Sequence, residues 1–134
     1  MVYLKRKEHF CASHRLFYPV FTEEQNLEIY GKCAWPNGHG HNYEIEVTVV
    51  GEPDPRTGMI IDLKKLSDLI EAEIIIKVDH KHLNFDVDFL KGIIPTAENL
   101  AISFWNILAP AIKAGKLYSV KVFETDNNMA EYRG

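Results

Sequence analysis

The sequence predicts an α+β fold in which an antiparallel sheet of four strands carries two long helices on one face. Three observations predict it. Residues 42–51 (NYEIEVTVVG) alternate apolar and polar, with Tyr43, Ile45, Val47 and Val49 on one face and Glu44, Glu46 and Thr48 on the other. Two later segments instead repeat at helical spacing: Leu63, Leu66, Leu69, Ile70 and Ile74, then Leu100, Phe104, Ile107, Leu108 and Ile112. These segments fall in the order strand, strand, helix, helix, strand, strand.

Each element has a local reason. Residues 3–12 (YLKRKEHFCA) alternate moderately and read as the first strand. In FTEEQNLEIYG, Thr22 and Gln25 form a capping-box pattern and Gly31 is a C′ stop, which predicts a short helix between the first two strands. The turn EPDPRTG follows the second strand. Residues 59–78 are expected to be the first long helix, and residues 79–95 a loop, since they show no period. Thr96 caps the second long helix, which is expected to end at Gly115. LYSVKVFET and MAEYRG are the last strands, joined by a hairpin turn at Asp126-Asn127-Asn128. An open sheet of this kind leaves two edges whose backbone groups need partners, and assembly into an oligomer is one solution.

A chain of 134 residues, 46% hydrophobic and 25% charged, has the balance of one folded domain spanning 1–134. A net charge of -4 with interspersed signs argues against nucleic acid or an anionic membrane as the main partner. No apolar run approaches the ~18 residues of a bilayer span, and the early positive charges precede no apolar secretory core. A cytoplasmic location is therefore expected, with Cys11 and Cys33 as free thiols.

Chemistry concentrates in CAWPNGHGHN, residues 33–42. Alternate residues of a strand share a face roughly 6.6 Å apart, so His39 and His41 can converge on one metal ion. Gly40 between them leaves room for a neighbouring backbone. His14, at the end of the first strand, can supply the third nitrogen of a site that keeps its fourth position open. The spacing alone suits surface or turn histidines equally, and His80 and His82 repeat the same pattern.

The motifs together go further. FCASHRL, GKCAWPNGHGHNYEIEVTVVGEPDPRTGMIIDL, VDHKHLN, PTAENLA and VKVFETDNN, in that order, closely resemble the 6-pyruvoyl-tetrahydropterin synthase family over nearly the whole chain. The resemblance implies the T-fold, here a ββααββ chain whose sheets join three subunits into a barrel, two such rings stacking as a homohexamer. It implies zinc on His14, His39 and His41. The implied reaction is lyase chemistry in tetrahydrobiopterin biosynthesis: 7,8-dihydroneopterin triphosphate loses triphosphate and rearranges, by internal redox, to 6-pyruvoyl-tetrahydropterin. Cys33 then matches the base, with Asp79 and His80 the pair that exchanges protons with it, supplied by a different subunit. Glu124 matches the carboxylate that grips the donor edge of the pterin ring, and Thr96 and Glu98 match residues lining its pocket.

Other residues receive lesser roles. Lys5, Arg6, Arg15 and Lys32 are all candidates for the triphosphate. Cys11, His9 and His82 are read as inert or structural, and Trp35 and Trp105 as core or loop packing. Ala34-Trp35 departs from the asparagines that animal members more often carry beside the thiol. The rival readings are the 6-carboxy-tetrahydropterin synthase of queuosine biosynthesis, a zinc hydrolase or hydratase with no use for a thiol, and a non-catalytic pterin-binding module. The C-x₅-H-G-H spacing favours the pyruvoyl enzyme over the carboxy relative.

Overall fold

Two 13-residue strands, β1 (Val2–His14) and β2 (His39–Gly51), pair antiparallel along their whole length, from Val2 opposite Gly51 to His14 opposite His39. The computed structural model describes residues 1–134. Both strands run past the expected bounds at the end that carries the histidines. The segment HGH there has no apolar alternation, so periodicity could not reveal that it stays extended. β4 (Lys116–Phe123) pairs antiparallel with β2, and β5 (Met129–Tyr132) with β4. In the hairpin between them, Glu124 N–H donates to the Asn128 carbonyl (3.0 Å) and Thr125 Oγ1 accepts from the amides of Asn127 and Asn128.

The expected four-stranded antiparallel sheet needs correction. A two-residue strand, β3 (Lys81–His82), lies parallel to Ala12 and Ser13 of β1, giving a five-stranded mixed sheet of order β3-β1-β2-β4-β5. It falls in the segment expected to be a loop, and two residues are too few to show a period. Local hydrogen bonds hold it instead: His80 N–H donates to the Cys11 carbonyl and Leu83 N–H to the Ser13 carbonyl.

The helices follow the capping signals. α1 (Glu23–Tyr30) begins at the predicted capping box, with Thr22 and Gln25 bonding reciprocally. α2 (Leu63–Ile70) starts at Asp62, whose carboxylate accepts from Lys64 N–H, and not at residue 59. It continues through a π segment, Glu71–Ile75, into a last turn, α3 (Ile76–Val78). α4 (Ala97–Ala111) is capped by Thr96 and stops short of Gly115. Pro110 lacks the amide that would bond one turn back, which weakens the helix there.

The core lies between the sheet and the α2 and α4 helices. Tyr43, Ile45, Val47 and Val49 meet Leu66, Ile70, Ile74, Leu100, Phe104 and Leu108, none more than 1% exposed. Each such side chain contributes roughly 1.5–3 kcal/mol by leaving water. Leu63, expected in the buried stripe, is exposed at the first turn of α2. The opposite face of the sheet is polar, with Lys5 on Glu46 (3.2 Å) and Lys7 on Glu44 (2.9 Å). The outer side of β1 is paired only at Ala12 and Ser13, and β5 has no partner on its far side. No helix is long and apolar enough to cross a membrane.

Candidate active site

The apolar stripe of the core does not end at Tyr43; it turns into imidazoles. His14 ends β1 on the helix-facing side, directly opposite His39 of β2, and His41 lies between His39 and Tyr43 on the same face. The three rings stand edge to face, with centroids 4.7 Å (His14–His39), 5.1 Å (His14–His41) and 4.8 Å (His39–His41) apart. Tyr43 packs against both His14 and His41 and stacks on Phe10 at 4.8 Å. The sheet therefore presents the histidines as a rigid set whose positions follow from the β1–β2 register.

The protonation of His14 and His41 suits ligation. His14 is fully buried, and its Nδ1–H donates to the Pro95 carbonyl (2.8 Å), which leaves Nε2 bare and pointing at His39 Nε2, 3.1 Å away. Burial pushes the His14 pKa down to about 4, and the neighbouring His39 and His41 push the same way. Burial also lowers His41, against the pull of the Glu124 carboxylate. Neutral imidazoles with fixed tautomers are what a divalent cation needs.

His41 Nε2 decides the fit. It is buried and lacks a well-formed hydrogen bond, although Glu124 Oε1 lies 3.2 Å from it. An unsatisfied buried nitrogen is costly, and a cation shared with its neighbours would satisfy it. Candidate ligand atoms of His14, His39, His41 and Glu124 all lie within 4.8 Å of one another. The set fits a metal ion with nitrogen and oxygen ligands.

Glu124 thus has a second setting that sequence reasoning did not find: one oxygen faces the histidines. It also lines a pocket of about 500 Å³ with Thr96, Glu98, Leu16, Tyr30 and Asn128. The three residues expected to bind the pterin therefore share one cavity beside the histidines. The Thr96 hydroxyl is also engaged as the α4 cap, accepting from Asn99 N–H at 3.2 Å.

Cys33 sits half-buried in a 3₁₀ turn, Gly31–Ala34, whose position is fixed by Leu16 N–H donating to the Cys33 carbonyl (2.8 Å). It is close enough to Tyr43 to add to the upward shift of that hydroxyl, after burial and Glu124. Asp79 and His80 form a tight pair, His80 Nδ1 to Asp79 Oδ2 at 2.9 Å, with the His80 ring largely exposed. Cys11 N–H donates to Asp79 Oδ1 (2.9 Å), and this bond, followed by the one from His80, holds the Asp79 carboxyl below its usual range. His80 is the one non-glycine residue with positive φ, 59°, a strained setting of the sort that persists where the surroundings enforce it. Within one chain no hydrogen bond or ring contact joins this pair to Cys33 or the three histidines.

The glycine that matters here is Gly38. At φ 69°, a Cβ on it would lie 2.7 Å from the His14 carbonyl oxygen, whereas one on Gly40 would meet Ala12 O at 3.4 Å. The close backbone approach expected of Gly40 belongs to its neighbour. Gly38→Ala is expected to destabilise the protein by about 1–2 kcal/mol from the left-handed backbone alone and to loosen metal binding; thermal denaturation and metal titration check both.

The sequence model of the 6-pyruvoyl tetrahydropterin synthase family matches residues 3–134. The human protein named 6-pyruvoyl tetrahydrobiopterin synthase is 46% identical over 131 residues, covering 98% of this chain and 90% of its own. The corresponding Dictyostelium discoideum protein is 44% identical, covering 99% and 96%. The solved structure of Caenorhabditis elegans 6-pyruvoyl tetrahydropterin synthase superposes with a TM-score of 0.93 at 39% identity, covering 99% of this chain and 95% of that one. The chain belongs to the 6-pyruvoyl tetrahydropterin synthase family.

In this synthase-family chain the Ala34-Trp35 departure separates into two settings. Ala34 is 2% exposed, while Trp35 is 56% exposed and lies in the loop after the 3₁₀ turn, the second of its two expected settings. Trp105 is half-buried against Tyr132, with centroids 5.5 Å apart. The family fold also accounts for why Asp79 and His80 escaped residue-by-residue reasoning: their order depends on the β1 edge, which no local pattern announces.

Proposed function

We propose that this chain, as one domain over residues 1–134, converts 7,8-dihydroneopterin triphosphate to 6-pyruvoyl-tetrahydropterin in the tetrahydrobiopterin pathway. Loss of triphosphate from C3′ leaves an enol that becomes the C2′ ketone and a methyl group. Oxidation of the C1′ alcohol to the second ketone then delivers two hydrogens to the ring, so no external oxidant or reductant is required. The observation that carries this reading is the convergence of His14, His39 and His41 beside Glu124, which also lines a pocket with Thr96 and Glu98.

Zinc bound by His14, His39 and His41 would supply Lewis acidity toward the side-chain oxygens. The protein's own groups do the rest. Cys33, as thiolate, is the base that takes protons from the side chain. Asp79 fixes the tautomer of His80 and stabilises its cation, so that His80 can exchange protons with the thiol. Glu124 accepts two parallel hydrogen bonds from the amino group and ring N–H of the pterin, while Thr96 and Glu98 line the same pocket. Glu124→Gln is expected to keep its metal while KM rises by at least ~10-fold, as fits loss of a charge-assisted hydrogen bond; loss of metal in this variant would make Glu124 a ligand instead.

The free sides of β1 and β5 support assembly of three sheets into a barrel, two rings forming a cytoplasmic homohexamer with sites shared between subunits. Mixing inactive Cys33→Ala with inactive His80→Ala subunits is expected to restore part of the activity. Verified mixed oligomers that stay inactive would argue against shared sites. The direct test of the function is incubation with dihydroneopterin triphosphate and identification of the product before and after chelation. Formation of a carboxy product, or of none, would overturn the assignment.

A further inference from the structure

Arg15 stands among the basic residues that the triphosphate could use, yet its bonds point elsewhere. Its Nε donates to the Ala34 carbonyl at 2.8 Å, and its guanidinium carbon lies 4.2 Å from the centroid of the Phe17 ring. Its backbone is held on both sides by one side chain: Arg15 N–H donates to Asn84 Oδ1 (2.9 Å) and Asn84 Nδ2 donates to the Arg15 carbonyl (2.7 Å). Asn84 here imitates a strand, continuing the pairing that β3 begins. The next residue, Leu16, donates its N–H to the Cys33 carbonyl at 2.8 Å.

Two consecutive carbonyls of the thiol-bearing turn, those of Cys33 and Ala34, are thus gripped by the two residues that follow His14. We propose that Arg15, braced by Asn84, is a positioning residue that fixes the Cys33 thiol relative to the histidine cluster, and not an anchor for the triphosphate. The proposal rests on Cys33 acting as the base. Ala34 is the one buried residue of this four-residue turn, and Trp35 after it is exposed. The planar guanidinium suits this role because it can stack on Phe17 while its Nε–H stays aimed at the carbonyl. A lysine keeps the charge and loses that geometry.

The test compares Arg15→Lys and Asn84→Asp with the wild-type enzyme in kcat, KM, bound zinc and the pH profile of Cys33 alkylation, followed by peptide mass spectrometry so that Cys11 is scored separately. The expected result for Arg15→Lys is a kcat lower by ~100-fold, the scale of a misplaced reacting group. KM should stay within about 3-fold and zinc should be unchanged, with a displaced Cys33 profile. Asn84→Asp, which loses one of the two clasping bonds, should shift the same readouts in the same direction. Wild-type kcat with a raised KM in a charge-removing Arg15→Met variant, rescued by lysine, would overturn the proposal in favour of phosphate binding; so would an unchanged alkylation profile. An inactive wild-type enzyme, or an active Cys33→Ala variant, would instead defeat the role given to the thiol. The alkylation profile needs no substrate and still decides whether Arg15 sets the sulfur.

Discussion

Replacing His39 by alanine is expected to remove bound metal and activity together, while the fold survives. His39 is half-buried at the end of β2, outside the apolar core, so its loss opens no cavity among the residues that hold the sheet to the helices. It does leave two imidazoles where three are required. Disturbing even a residue that merely orients a ligand costs roughly 10–100-fold in metal affinity, and loss of a ligand should exceed the upper figure. His9→Ala is the matched control: it removes an imidazole from the other face of the sheet, near Glu44, and should retain full metal content. Full metal content in the His39→Ala protein, measured by atomic absorption after dialysis, would defeat the ligand assignment.

The second large effect is expected at Cys33. Cys33→Ala should fold, keep its metal and bind the pterin, because the thiol is not among the converging atoms that could hold a metal ion and its backbone bond to Leu16 does not depend on the side chain. Turnover should fall by ~10²–10⁴-fold, the usual contribution of a positioned acid or base. A metal-hydroxide hydrolase would hardly notice the substitution, so this variant also separates the two chemistries that a three-histidine site can support. Normal product formation by Cys33→Ala would take the sulfur out of the mechanism.

Much of the fold was legible because burial writes a period into the sequence. Tyr43, Ile45, Val47 and Val49 alternate since one face of β2 meets the helices. The stripes on α2 and α4 repeat at helical spacing for the same reason, and Thr22 and Thr96 mark where helices begin. β3 left no such trace, because two residues cannot show a period and its bonds come from Asp79, His80 and the edge of β1. The ends of β1 and β2 were hidden in the same way: His14 and His39 are held opposite each other by strand register, with no apolar pattern to advertise it.

The site divides along similar lines. Spacing alone offered His39 and His41 as a pair and His14 as a plausible third, and the β1–β2 register brings all three together. The Pro95 carbonyl that sets the His14 tautomer lies 81 positions away in sequence and could not have been inferred. The roles of Asp79 and His80 came only from family resemblance, since an aspartate before a histidine is an ordinary turn pair. Glu124 was expected near a pterin; its approach to His41 is a tertiary fact.

The π segment at Glu71–Ile75 has a consequence for how the gene can change. Ile74 and Ile75 of this segment are both buried, and its wide turn holds one residue more than regular α winding needs. Excising one residue there would let the stretch wind as an ordinary α-helix with Val78 and Asp79 near their present bearing, whereas excising one from the regular turns of α2 would rotate everything downstream by ~100°. Val78 would then leave the core and Asp79 would swing off the Cys11 amide. A one-residue deletion is therefore expected to be borne in the wide turn and to break the enzyme in the helix just before it.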